Sequence, residues 1–387
     1  MLVTDDCLFA MRKMKAETVD MAYLDPPFFT QKIQSLKNRD GHKYYFSDKW
    51  DSMDAYLSYL KSRIIEVRRV LKASGSIFLH CDHSASHHLR LLLDEIFGAE
   101  NFRSEIIWIY RRWSNSRRGP MNSHQTIFFY SKSKNFTYNT IYTAYSPTTN
   151  IDQILQDRIR DSRGKAAYKT DSKGNAICTN EKKGVPLSDV WDIPFLNPKA
   201  KERVGYPTQK PILLLERIVE MSTNEKDVVL DPFCGSGTAL VAASLLNRNY
   251  IGIDVSGEAA KLAQKRLDNP VKTESALMRL GKESYDLKDE LEKQILNNFE
   301  CNIVQRNKGI DAFLVRMYDD APVPIRIQKK NESLSEAARL LHRAGATKGC
   351  KRMILIRTNN DNSAHIKMPA AIVVMDSYQI ILNNWHS

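Results

Sequence analysis

Residues 228–238 read VVLDPFCGSGT, and this stretch decides the fold of the chain. Val228 to Leu230 have the composition of a buried β-strand, and the sequence from Ala239 onward has the spacing of an α-helix. The glycines between them predict a tight turn, where backbone N–H groups and bare Cα atoms let a ligand approach closely. A strand, a glycine turn and a helix in this order indicate a cofactor-binding turn of an α/β fold.

A second informative stretch, VDMAYLDPPF at residues 19–28, lies near the N-terminus. Its apolar run predicts a strand, and Asp25 to Phe28 predict a rigid turn, because each proline fixes its own φ. Alone, this motif is also compatible with a tight turn after any strand. Together with the glycine turn, it indicates a carboxylate held where a strand of the same sheet ends.

The composition narrows the class of protein. The 387 residues are enough for one large domain and a smaller one, and the formal charge of +12 suits a polyanionic partner. No apolar run approaches the roughly 18 residues of a membrane span, and no signal peptide opens the chain, so we expect a cytoplasmic protein. The six cysteines form no Cys-x-x-Cys pair, and the histidines of residues 80–88 have no matching distant cluster. We therefore predict neither a metal site nor disulfides.

Apolar periodicity predicts alternating strands and helices up to about residue 268. Strands are predicted at residues 2–4, 19–24, 76–81, 105–110, 126–130, 228–230 and 250–254, and helices at 55–71, 86–97, 211–222, 239–246 and 257–267. This alternation favours a doubly wound α/β fold with a mainly parallel sheet. Residues 131–205 are polar and basic without this pattern, which is typical of a functional or disordered insert.

The sequence beyond residue 268 predicts a smaller, separate part. Asn269-Pro270 ends the last helix, and the charged residues up to 299 predict a helical connector. Strands near 312–317, 323–328, 353–357 and 371–375 around a helix at 334–344 then predict a small α/β domain. We therefore predict a first domain at residues 1–268, a connector at 269–299 and a second domain at 300–387.

The two motifs together resemble those of the S-adenosylmethionine-dependent amino-DNA methyltransferases, which methylate adenine N6 or cytosine N4. The resemblance covers about residues 1–268 and implies a Rossmann-like sheet of seven strands. Catalytic motif first and cofactor motif last is similar to the circularly permuted β group of this family. In that order, residues 1–6 are the third strand of the unpermuted sheet and Asp25 ends the fourth. The resemblance further implies a prokaryotic or phage protein that belongs to a restriction-modification system and is associated with the nucleoid. Members of the family often form homodimers, so a homodimer is also expected.

The resemblance implies a catalytic role for Asp25, Pro26, Pro27 and Phe28. Asp25 and the carbonyl of Pro26 would each accept one N–H bond of the exocyclic amine, which frees the nitrogen lone pair from conjugation. The prolines would fix both acceptors beforehand, and Phe28 would stack on the base. Since these groups cannot reach a base inside a duplex, the target would be flipped out of double-stranded DNA.

The same resemblance assigns the cofactor to the glycine turn. The methionine end of S-adenosylmethionine would lie against Asp231, Phe233, Gly235, Ser236, Gly237 and Thr238. Asp254, at the end of the next strand, would bind the ribose hydroxyls, and Asp6 or its neighbour Asp5 would accept from the adenine amine. Lys210, in the motif Thr208-Gln209-Lys210-Pro211, would lie beside the cofactor carboxylate, because a lysine at a helix start indicates an anionic neighbour.

Basic loops are the candidates for contact with DNA. Lys43 belongs to a basic and aromatic loop after the catalytic turn, and Lys182 and Lys183 belong to the insert, which has the place of the family's target-recognition region. A third cluster surrounds Trp113 and consists of Arg111, Arg112, Arg117 and Arg118. A run of charges is also the usual composition of a solvated surface.

Several alternatives stay open from the sequence. Asp25 favours adenine N6, because cytosine-N4 members more often have Ser there, and cytosine N4 is the alternative target. Enzymes that methylate RNA or a protein amide more often have Asn at this position.

The second domain has alternatives of its own. Asp311, Gln328 and Lys330 loosely resemble the core of the Mrr-like restriction nucleases, where a divalent metal and a lysine act on phosphate. The second domain is then an active nuclease in a bifunctional enzyme, a degenerate module that binds DNA or self-associates, or an unrelated appendage. We expect no cleavage, because glutamine is a poorer magnesium ligand than a carboxylate.

Overall fold

The computed structural model of the protein describes residues 1–37, 41, 43–110, 119–143, 157–160, 164–173, 177, 184–273, 288–305, 307–359 and 368–382. The chain divides into two compact units, Met1–Met278 and Arg279–Ser387. Within the described residues, no helix combines the length and the apolar character that crossing a membrane requires.

The first unit is built on one large sheet. Its strands, with those of three small two-stranded sheets, are β1 (Leu2–Thr4), β2 (Val19–Leu24), β3 (Ile33–Lys37), β4 (Lys43–Ser47), β5 (Leu71–Cys81), β6 (Phe102–Ile109), β7 (His124–Ser131), β8 (Tyr142–Thr143), β9 (Arg158–Arg160), β10 (Ala166–Tyr168), β11 (Val185–Pro186), β12 (Val190–Asp192), β13 (Val228–Asp231) and β14 (Asn249–Asp254). The large sheet has the order β1-β14-β13-β2-β5-β7-β6-β12. Only β7 runs antiparallel to its neighbours among these described strands.

Helices cover both faces of this sheet, as the alternating pattern predicts. They are α1 (Cys7–Arg12), α2 (Met53–Val70), α3 (Ser86–Phe97), α4 (Ile212–Ser222), α5 (Thr238–Leu245) and α6 (Gly257–Asp268). One hydrophobic core contains residues of α1, α2 and α3, and the other contains residues of α4 and α5. The fold is therefore a doubly wound α/β fold, as predicted.

The described sheet has eight strands, one more than the predicted seven. The additional strand is β12, which pairs in parallel with β6 at the end of the insert. Its central Trp191 is buried and donates an Nε1–H bond to the carbonyl of Ser188 at 2.7 Å. Because this short strand lies in a polar stretch, apolar periodicity does not predict it. The buried side chain of Trp191 fixes its position.

The central strands bring the two sequence motifs together. All six residues of β2 are buried, and β2 pairs in parallel with β13 through Leu230 and Ala22. Because parallel strands end at the same edge of a sheet, Asp25 after β2 and Asp231 at the end of β13 lie at the same edge.

The second unit has its own sheet and its own cores. Its elements are α7 (Glu290–Leu296), β15 (Cys301–Ile303), β16 (Ala312–Leu314), β17 (Pro324–Ile327), α8 (Leu334–Ala346), β18 (Met353–Arg357), β19 (Ile372–Asp376) and α9 (Ser377–Leu382). The five strands follow the chain order from β15 to β19, and the last three are parallel. The helix α7 lies in the predicted connector, and its Ile295 and Leu296 pack into a core of this unit.

Candidate active site

A cleft of about 1110 Å³ opens at the carboxyl ends of the central strands. Twelve of the predicted catalytic and cofactor residues line it, namely Asp6, Asp25, Pro26, Pro27, Phe28, Lys210, Asp231, Phe233, Gly235, Ser236, Thr238 and Asp254. Gly237 lies within the same turn, and a Cβ atom there would come within 2.7 Å of Ala263 Cβ. The structure thus brings the two motifs into one site.

The glycine turn needs the backbone freedom of glycine. Gly235 has a φ of 48° and Gly237 a φ of 74°, in the left-handed region that side chains disfavour. A Cβ atom on Gly235 would lie 3.0 Å from Cε1 of Tyr206. Gly237 is also the N-cap of α5. Because glycine has no side chain, the first N–H groups of this helix receive no hydrogen bond from an N-cap side chain.

Asp254 ties the end of β14 to the glycine turn. Its Oδ2 atom accepts a hydrogen bond of 2.8 Å from the Gly235 N–H group, and its Oδ1 atom accepts one of 2.8 Å from Ser256. Burial raises the pKa of Asp254, although the two backbone donors lower it. Asp254 therefore positions the turn, and the sequence motif alone does not show this second contact.

Asp5 and Asp6 both line the cleft, and each has a basic partner. Asp6 caps α1 through the Leu8 N–H group at 2.8 Å and pairs with Arg63 at 2.6 Å. Asp5 pairs with Lys13 at 3.1 Å. Because both residues line the cleft, the predicted adenine contact stays open between them.

Asp25 is paired with Lys210 in the floor of the cleft. Lys210 is 5% exposed. Its Nζ atom lies 2.5 Å from Asp25 Oδ2 and 3.4 Å from the Thr208 carbonyl oxygen. Burial raises the pKa of Asp25, and the ammonium of Lys210 offsets part of this rise. The lysine predicted to lie beside the cofactor carboxylate is thus bonded to Asp25, the carboxylate predicted to be catalytic.

His80 lies beneath Asp25 and was not among the predicted site residues. It is fully buried, with Nδ1 2.7 Å from the Tyr23 hydroxyl and Nε2 2.9 Å from Gln125 Oε1. Burial lowers its pKa well below the ordinary value, and Lys210 lowers it further, so the ring is neutral. A neutral ring that donates from Nε2 to Gln125 accepts at Nδ1 from Tyr23.

Asp48 holds the segment after the catalytic turn and was also missed. It is 2% exposed. Its Oδ1 atom accepts from the Phe28 N–H group at 2.9 Å, and its Oδ2 atom accepts from Thr30 Oγ1 and Gln34 Nε2, both at 2.9 Å. Trp50 Nε1 donates to the Phe28 carbonyl at 3.2 Å. An acidic residue within a basic loop was the available signal, and its partners are visible only in the fold.

The hairpin of β3 and β4 lies over the glycine turn. The rings of Tyr44 and Phe46 have their centroids 5.6 and 6.4 Å from that of Tyr206, which contacts the position above Gly235. Lys43 begins β4, and its side chain lies outside the described residues. The other residues predicted to bind DNA, Arg111, Arg112, Arg117, Arg118, Lys182 and Lys183, also lie outside the described residues.

Comparison with known families assigns the chain. Residues 19–265 match the family of N6/N4 methyltransferases described as DNA methylase, and residues 217–380 match one described as RMKL-like, methyltransferase domain. The first match covers more than half of the chain, so the chain belongs to the DNA methylase family. It is a DNA methyltransferase that takes its methyl group from S-adenosylmethionine.

Individual relatives agree with this family. The Type II methyltransferase M.HpaI of Haemophilus parainfluenzae is 29% identical over 269 residues, which cover 69% of this chain and 74% of the relative. The DNA adenine methyltransferase YhdJ of Escherichia coli K12 is 30% identical over 269 residues, which cover 69% of this chain and 82% of the relative. Among solved structures, the complex of M1.HpyAVI with SAM has 21% identity, a TM-score of 0.43, and coverage of 69% of this chain and 98% of that one.

Proposed function

We propose that the chain methylates N6 of adenine at a specific site in double-stranded DNA, after the adenine has been flipped out of the helix. The observation that carries this proposal is the single cleft in which the Asp25 turn, after β2, lies beside the glycine turn, after the neighbouring β13. The name of the relative YhdJ, a DNA adenine methyltransferase, supports adenine as the target. The sheet order also supports a circularly permuted, β-group arrangement, because β1 and β2 flank the pair β14-β13.

The glycine turn fits the methionine end of S-adenosylmethionine. Gly235 lines the cleft without a side chain, and Ser236 and Thr238 bring hydroxyl groups to the cleft. The carboxylate of Asp254 accepts two backbone N–H bonds and keeps lone pairs for ribose hydroxyls. When bound, the cofactor supplies an electrophilic methyl group on a sulfonium.

Asp25 prepares the amine of the target base for attack. Since Lys210 occupies Oδ2, Oδ1 is the acceptor for one amine hydrogen and the Pro26 carbonyl is the acceptor for the other. Both acceptors direct the nitrogen lone pair out of conjugation with the ring. The methylated nitrogen carries a surplus proton, which Oδ1 can take because burial raises the pKa of Asp25.

Phe28 forms the stacking face of the proposed base pocket. Its ring centroid lies 6.0 Å from that of His80, and its backbone is fixed by Asp48 and Trp50. The aromatic face offsets part of the stacking that the flipped base loses in the duplex.

We expect Asp48→Ala to lower kcat/KM for DNA roughly 100-fold, the effect of a displacement of about 1 Å at reacting groups. The Phe28 backbone and the β3–β4 segment lose their common anchor, whereas the glycine turn is untouched. Methylation kinetics and calorimetry with S-adenosylmethionine measure the two effects separately. Asp51→Ala is the matched control, because Asp51 is exposed in the same segment. Equal kinetics for the Asp48 and Asp51 variants would contradict the role of Asp48.

Product analysis tests the proposed function. Unmethylated DNA is incubated with the protein and S-adenosylmethionine that carries a deuterated methyl group, and the nucleosides are then separated by mass spectrometry. The expected product is deuterated N6-methyladenine. N4-methylcytosine would establish the alternative target, since the acceptors of Asp25 and Pro26 suit either amine. Absence of a labelled nucleoside would contradict DNA as the substrate.

We further propose that the second unit is a nuclease-like module without cleavage activity. Asp311 is buried, its Oδ2 atom accepts from the Ile327 N–H group at 2.8 Å, and its Oδ1 atom pairs with Lys288 and with Lys329 at 3.0 Å. Lys330, which the sequence associates with Asp311, is exposed. Both carboxylate oxygens of Asp311 are thus bonded to protein groups. The nuclease interpretation requires this carboxylate to bind a metal ion.

We expect Asp311→Ala to destabilise the second unit by about 3–5 kcal/mol, because it leaves the ammonium of Lys288 without its buried partner, whereas Lys329 keeps its ion pair with Glu292. Burial would raise the pKa of Asp311, but the Ile327 N–H group and the lysines outweigh it, and the pKa is lowered. Its stabilising effect is therefore present above the unfolded pKa of about 3.9 and is lost as the pH falls through the lower folded value.

Thermal unfolding between pH 2 and 6 measures the role of Asp311. Asp311→Asn should remove this part of the pH dependence, and Asp319→Asn, at an exposed ion pair, should leave it unchanged. Magnesium-dependent cleavage that Asp311→Ala abolishes would overturn the proposal in favour of the bifunctional enzyme. The DNA contacts of the basic side chains remain predictions from the sequence, and so does the homodimer.

A further inference from the structure

Arg266, on α6, is a buried cation directly behind the glycine turn. It is 6% exposed. Its Nη1 atom donates to the Ser236 carbonyl at 2.7 Å, to Ser236 Oγ at 3.1 Å and to Thr238 Oγ1 at 3.0 Å. Its Nη2 atom is buried and has no hydrogen-bond partner among the described residues. Three bonds thus join one guanidinium nitrogen to the turn.

No carboxylate of the described residues forms an ion pair with Arg266. Glu202 acts on its charge, but Glu202 Oε1 accepts from the Ile212 N–H group and Oε2 from Thr273, both at 2.8 Å. Burial lowers the pKa of Arg266 to about 10, which still leaves it charged at neutral pH. A buried cation without an ion-pair partner is costly, so an anion near the turn would be stabilised.

Ser236 and Thr238 connect Arg266 to the cleft, because both residues line the cleft and both accept hydrogen bonds from Arg266. Both hydroxyl oxygens accept from Arg266 and lie 3.4 Å apart, so one hydroxyl can donate to the other and the remaining hydroxyl hydrogen can point away from the guanidinium. The N-terminus of α5, which begins at Thr238 without a side-chain cap, adds backbone N–H groups and a partial positive charge. Hydroxyl and amide donors backed by a full charge favour a carboxylate.

We propose that Arg266 is a positioning residue for the carboxylate of S-adenosylmethionine and acts through Ser236 and Thr238, without touching the cofactor. The inference rests on the proposed function, since it requires the cofactor at the glycine turn. Lys210, the cation that the sequence predicts for this carboxylate, is bonded to Asp25. Because Arg266 acts on the cofactor through its carboxylate, it stabilises only those ligands that carry this group.

Calorimetry with two ligands tests the role of Arg266. S-adenosylmethionine and its decarboxylated analogue share the adenosine, the sulfonium and the amine, and they differ only in the carboxylate. We expect Arg266→Met to weaken S-adenosylmethionine binding about 10- to 100-fold, the range for a hydrogen bond to a charged group, and to leave the analogue within about two-fold. Arg248→Met is the matched control, because Arg248 also donates to a loop, but its acceptor Thr223 does not line the cleft, whereas Ser236 and Thr238 do.

Equal losses for both ligands would assign Arg266 a merely structural role and overturn the inference. Arg266→Lys keeps the charge with a different donor geometry, and we expect a smaller loss that is again confined to the carboxylated ligand. This variant carries the test if Arg266→Met does not fold. Failure of the parent protein to bind either ligand would instead overturn the proposed cofactor site, and the inference with it.

Discussion

The Asp25→Ala protein is expected to bind S-adenosylmethionine within a few-fold of the parent affinity and to transfer no measurable methyl group. In the proposed mechanism, the removed carboxylate acts on the amine of the target base, whereas the glycine turn holds the cofactor. Loss of one preorganised partner of the reacting group raises the barrier by about 3 kcal/mol or more, which is over 100-fold in rate. Single-turnover methylation and calorimetry measure the two properties, and near-normal turnover would contradict the assignment.

A matched pair of variants separates chemistry from folding at Asp25. Asp25→Ala leaves the ammonium of Lys210 buried without its partner, so part of its effect is on stability. The double variant Asp25→Ala with Lys210→Met removes both charges. We expect it to recover thermal stability but no methyl transfer, and a recovery of activity would show that Asp25 serves only to neutralise Lys210.

Gly235→Val is expected to abolish cofactor binding, the converse of the Asp25 result. Gly235 has a positive φ, and its new Cβ would lie 3.0 Å from the Tyr206 ring, so the branched side chain would fill the space above the turn. The turn would also lose the Gly235 N–H bond to Asp254 if its backbone moved. Calorimetry with S-adenosylmethionine measures the loss.

Gly349→Val is the control for backbone strain alone. Gly349 has a φ of 68°, and a Cβ atom there would have no neighbour within 4 Å. This variant should lose stability and keep its cofactor affinity. If Gly235→Val bound the cofactor as tightly as Gly349→Val, the glycine turn would not be the cofactor site.

The sequence predicted the two motifs well because glycine and proline leave a local signature. Asp-Pro-Pro after an apolar run and Gly-x-Gly before a helix each define a backbone shape with few alternatives. Alternation of strands and helices then predicted that both turns follow strands of one sheet. The structure pairs β2 with β13, which brings both turns to one edge of the sheet.

The contacts of the site were less predictable, because their partners are distant in the chain. Lys210 meets Asp25 across 185 positions, His80 meets Gln125 across 45, and Arg266 meets Ser236 across 30. Neither propensity nor spacing indicates which acid a buried lysine will meet. In the second unit, adjacent lysines gave no local reason to prefer Lys329 over Lys330 for the contact with Asp311.

Sequencing with detection of modified bases tests the central claim most directly. The protein and its Asp25→Ala variant are expressed in a host that lacks DNA methylation, and the DNA of both strains is sequenced. We expect N6-methyladenine at one recurring sequence in the strain with the parent protein and none in the strain with the variant. N4-methylcytosine, no modified base, or the same modification in both strains would contradict the claim that this cleft methylates adenine through Asp25.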